Sequence, residues 1–159
     1  MRLADLTLLF DYHDWATERL LAAAARLENA PPQELLATLA HICEAQRAWR
    51  MLMTRGQFTD FLQPDDCADL MAVQKLWRRE KDEFWRYLRS LGESDLQREF
   101  TYVGAGGRRR RLVWHCLWHV VNHGTQHRAE CAALLTTLGC SPGELDFPIF
   151  LDEAADPAG

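Results

Sequence analysis

The chain has 159 residues, 48% hydrophobic and 26% charged, the balance of one ordinary globular domain large enough to fold without disulfides or a structural metal. A formal charge of −5 argues against a dedicated nucleic-acid coat or a membrane-surface binder. No stretch approaches the roughly 18 uninterrupted apolar residues that span a bilayer, and Asp5, Asp11 and Asp14 interrupt the segment where a signal peptide needs a clean apolar run, so a cytoplasmic location is expected.

From Leu3 to Leu27, the residues Leu6, Leu9, Phe10, His13, Ala16, Leu20 and Leu27 recur mostly at steps of three and four, the helical period. The Pro31-Pro32 pair closes this helix and opens a second, from about Pro32 to Thr54, with a stripe of Leu35, Leu36, Leu39, Ile42, Cys43, Trp49 and Leu52 and a stop at Gly56. The pattern is lost from Gln57 to Cys67, a loop whose aspartates can cap a third helix over about Asp66 to Leu91. Phe100, Tyr102 and Val103 beside Gly104, Gly106 and Gly107, followed by Arg108 to Arg111, predict a short hairpin between Leu96 and Leu112. A fourth helix covers about Val113 to Leu138 and stops at Gly139. Residues 1–152 are expected to form a single domain and 153–159 a loose C-terminal tail.

Four helices of roughly 35 Å each, at 1.5 Å per residue, suit an all-α fold: a four-helix bundle with crossover connections and a short β-hairpin before the last helix. The short first connection predicts that helices one and two are antiparallel neighbours. The five cysteines, an odd number with no CxxC spacing, read as small buried side chains in a reducing compartment.

All six histidines fall on predicted helices, four of them on the last. At about 100° per residue, His119, His123 and His127 lie within an ~80° arc of one face, with His115 furthest round. Two histidines at i and i+4 can bind one divalent ion, because successive turns place both rings on one side. His41, in the apolar stretch Leu39-Ala40-His41-Ile42-Cys43, is the leading candidate for a third ligand from a facing helix. His13, alone on its face, reads as a hydrogen-bonded core residue. Glu130 returns to within roughly 20° of His123 and is the candidate catalytic group: it can hydrogen-bond a ligand imidazole, bind the metal, or accept a proton. Its alternative is a surface network with Arg128 or the helix-one side chains. Of the six tryptophans, Trp15 and Trp118 are expected near the site mouth and the others mostly in the core. Arg108 to Arg111 read as a solvated hairpin, so no nucleic acid is expected.

The segment His119-Val120-Val121-Asn122-His123-Gly124-Thr125-Gln126-His127-Arg128 resembles the signature of the DinB-like superfamily of DNA-damage-inducible proteins, with its Asn-His-x-x-x-His-Arg core. Phe10 to Ala16 resembles the family's first-helix motif, with His13 in place of the usual Asn. Leu35 to Ile42, with Trp49 beyond, resembles the second-helix segment that supplies the first ligand, and Gly139 to Leu151 the C-terminal extension. The resemblance implies a four-helix bundle with a divalent transition metal, nickel or zinc, on His41, His123 and His127. His119 is then a neighbour of the ligands. The family often continues His-Arg-Gly-Gln, where this chain has His127-Arg128-Ala129-Glu130.

Three histidine ligands leave a coordination position open, the mark of a catalytic site. Scaffold relatives include thiol-dependent isomerases and transferases that use low-molecular-weight thiols. By that resemblance the expectation is a divalent-metal-dependent enzyme, a thiol-dependent transferase or isomerase acting on a small-molecule electrophile, with a homodimer as the expected assembly. The alternative is a non-catalytic metal-binding stress-response module, its site closed by a fourth protein ligand, Glu130 first.

Overall fold

A computed structural model describes residues 1–104 and 106–155. The main elements in chain order are α1 (Leu3–Ala24), α2 (Gln33–Arg55), α3 (Leu70–Arg89), β1 (Glu99–Gly104), β2 (Gly107–Leu112), α4 (Val113–Thr137) and α5 (Phe147–Ala155). The four long helices form the expected bundle, and β1 and β2 pair antiparallel as a hairpin just before α4. Gly56 and Gly139 end α2 and α4 in the left-handed conformation that favours glycine, at φ 73° and 78°.

Three expectations need correction. α3 begins at Leu70 rather than Asp66, because Asp66 is spent on a separate 3-10 turn, Pro64–Cys67, where it accepts from the Gln63 N–H at 2.8 Å. Asp69 is the true N-cap of α3, accepting from the Ala72 N–H at 2.8 Å. Second, α2 packs along α3 and α4, while α1 packs along α4 and more lightly against α3, so α1 and α2 stand on a diagonal rather than side by side. Residues 25–32 can span roughly 25 Å when extended, enough to cross a bundle whose neighbouring axes lie about 10 Å apart. Third, the boundary drawn after residue 152 falls inside α5, which continues as helix to Ala155; the rest of the expected tail, 156–159, lies outside the described residues. α5 is held to α1 by Glu153, whose carboxylate accepts from Trp15 Nε1 at 2.9 Å and pairs with Arg19 at 2.8 Å.

The interior has two apolar cores. One gathers Leu20, Leu35, Leu39, Val73, Trp77 and Leu135; the other gathers Leu6, Phe10, Phe84, Leu96, Leu117 and Phe100 from under the hairpin. A belt of buried polar side chains, one from the middle of each long helix, lies among them: His13, Gln46, Glu80 and Arg128. Arg128 Nη1 donates to His13 Nδ1 at 2.6 Å and Nη2 to Thr125 Oγ1 at 2.7 Å. Gln46 donates to the Glu80 carbonyl at 3.2 Å, and the Glu80 carboxylate pairs with Arg50 and Arg79 at 3.1 and 3.0 Å. With Nδ1 accepting, the His13 proton sits on Nε2; that atom and Gln46 Oε1 are a complementary donor and acceptor, both buried without another partner. Burial and then the Arg128 cation keep this imidazole neutral, well below its ordinary range. The core role expected of His13 is the one it has.

Asp14 is the other buried acid. It accepts from Trp85 Nε1 at 2.6 Å, with Lys81 Nζ 3.9 Å away. Burial nonetheless pushes its carboxyl up to about 7, against the opposing pull of Trp85 and Lys81. The folded chain keeps a proton that the unfolded chain releases near pH 4, so this group's contribution falls as pH rises from about 4 through 7. Asp14→Asn keeps an acceptor for Trp85 and removes the charge. It is expected to stabilise by about 1–3 kcal/mol at pH 8 and by nothing near pH 4. Calorimetry at the two pH values checks this, and an unchanged or lower Tm at pH 8 contradicts it.

Candidate metal centre

α2 and α4 lie side by side, and this contact brings the three predicted ligands together. His123 and His127, one turn apart on α4, face His41 on α2, with ring centroids 5.1 Å (His41–His123), 4.7 Å (His41–His127) and 4.4 Å (His123–His127) apart. Each offers one ring nitrogen, and these three atoms all lie within 4.8 Å of one another. His41 is the most open of the three, its side chain 46% exposed against 18% for His127.

The donor set can be tested against a divalent ion. His127 Nδ1 lies 2.7 Å from Glu130 Oε2; an ionised carboxylate only accepts, so Nδ1 is the donor and Nε2 is the ring nitrogen turned to the other histidines. His123 Nε2 stands 3.2 Å from that same Nε2. Two bare acceptors do not approach so closely unless a proton or a cation lies between them. In a tetrahedral site with metal–nitrogen bonds near 2.0–2.1 Å, neighbouring nitrogens sit about 3.3 Å apart. The α4 pair already has that spacing, and the His41 ligand atom lies within 4.8 Å of both. The residues fit a divalent ion.

The electrostatics favour the neutral, ligating form. Burial, followed by the neighbouring His127, His41 and His119, pushes His123 down to about 4; burial and then His127 also lower His41. Glu130 is held below the usual carboxylate range, first by its hydrogen bond with His127. Its carboxylate meets the His127 ring on the Nδ1 side, away from the Nε2 that faces His123.

His119 adjoins the group without entering it, its ring 5.5 Å from His123 and 5.1 Å from Trp49. The structure does not bring Trp15 or Trp118 to the site. Trp15 is under α5, against Phe150 at 5.7 Å and beneath the Arg19 guanidinium at 4.9 Å. Trp118 is 45% exposed and lies about 140° and 180° round α4 from His123 and His127. Trp49, grouped with the core tryptophans on sequence, reaches His119, the neighbour of the triad, instead. Glu44 was also missed: it sits three residues after His41, the spacing that links His127 to Glu130. Its Oε2 is 3.9 Å from His41 Nδ1, while Oε1 accepts from the Leu62 N–H at 3.0 Å and ties the following loop to the ligand helix.

No helix among the described residues is long and apolar enough to cross a membrane. The DinB family model matches residues 4–158, nearly the entire chain, and the chain belongs to the DinB family. A search of curated proteins finds no match.

Proposed function

We propose, with membership of the DinB family as the premise, that this is a divalent-metal-dependent enzyme with an open three-histidine site, a thiol-dependent transferase or isomerase acting on small electrophiles, with nickel or zinc as its ion. One observation carries the reading: His41, His123 and His127 make a group of three ligand atoms, with no fourth His, Cys, Asp or Glu in the group among the described residues. When bound, an ion with three imidazole ligands and an open position lowers the pKa of a water or thiol and polarises a carbonyl. The protein's part is to hold the neutral rings, to fix the His127 tautomer through Glu130, and to leave one side open through the exposed His41.

The test pairs elemental analysis of protein purified without added metal with a panel of small thiols and electrophiles. One ion per chain and metal-dependent turnover are expected; metal-loaded protein with no turnover across the panel removes the enzymatic reading. The second reading, a non-catalytic metal-binding module, is favoured by the nearness of Glu130 to the group and requires it as a closing ligand. Glu130→Gln separates the two. An outer partner gives full stoichiometry with affinity about 10–100-fold weaker, whereas a closing ligand gives an ion with a newly exchangeable water.

A further inference from the structure

One ring removed from the triad, between the hairpin and the start of α4, is a cavity of about 320 Å³ lined by Trp49, Tyr102, Arg111, His115, Cys116 and His119. Its size is at the lower end for small-molecule sites. Trp49 is its centre: its ring meets Tyr102 edge to face at 5.4 Å and His119 at 5.1 Å. His119 continues to His123 at 5.5 Å, so one wall runs from the hairpin to the metal ligands.

Hairpin register decides which arginine serves this cavity. Opposed residues of an antiparallel pair share a face, and Phe100 opposes Arg111 while Tyr102 opposes Arg109. Phe100 is buried in the core, so Arg109 and Arg111 are on the face that turns toward the helices. Arg110 belongs to the other face, where it pairs with Glu99 at 3.2 Å. The Arg109 guanidinium lies over Gly106 at the turn. Arg111 is left at the cavity, with one Nη1 bond to the Arg110 carbonyl at 2.8 Å and no carboxylate among its described ion pairs. Among the described residues, no acidic side chain lines the cavity.

A planar cation, two aromatic rings and two imidazoles with no acid among them recognise a flat anion. We propose that this cavity is the substrate pocket and that its substrate is a small planar carboxylate: the acid pairs with Arg111, the flat body lies against Trp49 and Tyr102, and the far end points past His119 to the triad. This deepens the metal-enzyme reading and rests on it for the purpose of the pocket.

The test uses the full chain freed of metal with a chelator, at pH 8, above the ordinary imidazole range, so that a pocket failure is separate from a metal failure. Benzoate and its neutral counterpart benzamide are titrated while the Trp49 indole N–H is followed by NMR. Benzoate is expected to bind at least tenfold more tightly and to shift that signal, Arg111→Gln to abolish the preference, and Arg110→Gln to retain it. Equal binding of the two probes, survival of the preference in Arg111→Gln, or its equal loss in Arg110→Gln overturns the proposal. Unchanged thermal melts of both variants exclude misfolding as the cause. If the benzoate preference holds and the chain takes up no divalent ion, the pocket stands and the metal reading falls.

Discussion

Substituting alanine for Gly124 is expected to destabilise the protein by at least about 3 kcal/mol, although the same change in an exposed helix stabilises by up to about 1 kcal/mol. A Cβ built at this position falls inside contact distance of His13 Cε1 and lies 2.7 Å from His13 Nδ1 and 2.8 Å from Arg128 Nη1. Neither group can step aside. His13 is fully buried, with Phe10 and Trp77 ring centroids at 6.0 and 5.8 Å, and Arg128 is 2% exposed. Displacing the ring also breaks the Arg128–His13 hydrogen bond and strands a buried cation, a cost of about 3 kcal/mol or more in its own right. Urea unfolding measures the loss, which corresponds to a Tm lower by roughly 6–12 °C. The double variant His13→Ala, Gly124→Ala identifies the mechanism: with the ring gone, the added methyl should cost markedly less than it does in the parent. A Gly124→Ala protein as stable as the parent contradicts the tight approach of α1 to α4.

His123→Ala has the largest expected effect on metal binding and little on the metal-free fold. It removes the ring that, among the described residues, adjoins His41, His127 and His119 together, so affinity should fall by more than the 10–100-fold typical for loss of an outer partner. The parent should gain about 2.7 kcal/mol at an ion concentration a hundred times its Kd, and the variant nothing. The pH dependence has a definite sign. In the metal-free parent the folded state holds His123 neutral down to about 4, while the unfolded state protonates near 6.5. Protons therefore favour unfolding, and stability is lost as pH falls from about 6.5 toward 4. The metal-free variant lacks this liability and should be the less acid-sensitive of the two. Titration calorimetry and melts at pH 7.5 and 5 check both parts; a variant that still gains stability from added ion removes His123 from the site.

The candidate site was legible in the sequence because its information is periodic. His123 and His127 at i and i+4, and Glu130 three residues on, share a face by helix geometry alone. His41 was less determined: its place in an apolar stretch made it the leading candidate for a third ligand, and the family motif completed the assignment. Trp15 shows the limit: its position on α1 says that it is near an interface, and which element covers that interface depends on α5. That helix carries little period of its own, because Phe147-Pro148-Ile149-Phe150-Leu151 is an unbroken apolar run with a proline. Likewise, the order of helices around the bundle is absent from local pattern, for residues 25–32 reach a neighbour and a diagonal equally well. Arg111 could be told from Arg110 only once the hairpin register fixed which of them turns inward.

The diagonal placement of α1 and α2 also sets an order on synthesis. α1 leaves the ribosome first, yet its principal neighbour α4 begins only at Val113, beyond α2, α3 and the hairpin. Contacts of such high sequence separation form late and slow folding, because the intervening chain must be confined before they return any stability. Until then the apolar face of α1 has no lasting shelter, a period of exposure in which a nascent chain is open to aggregation and to chaperone capture. His41 waits for the same helix as α1 does. The histidine triad is thus assembled by the step that completes the bundle, and a chain made only through α3 has its α2–α3 and lighter α1–α3 contacts but no triad.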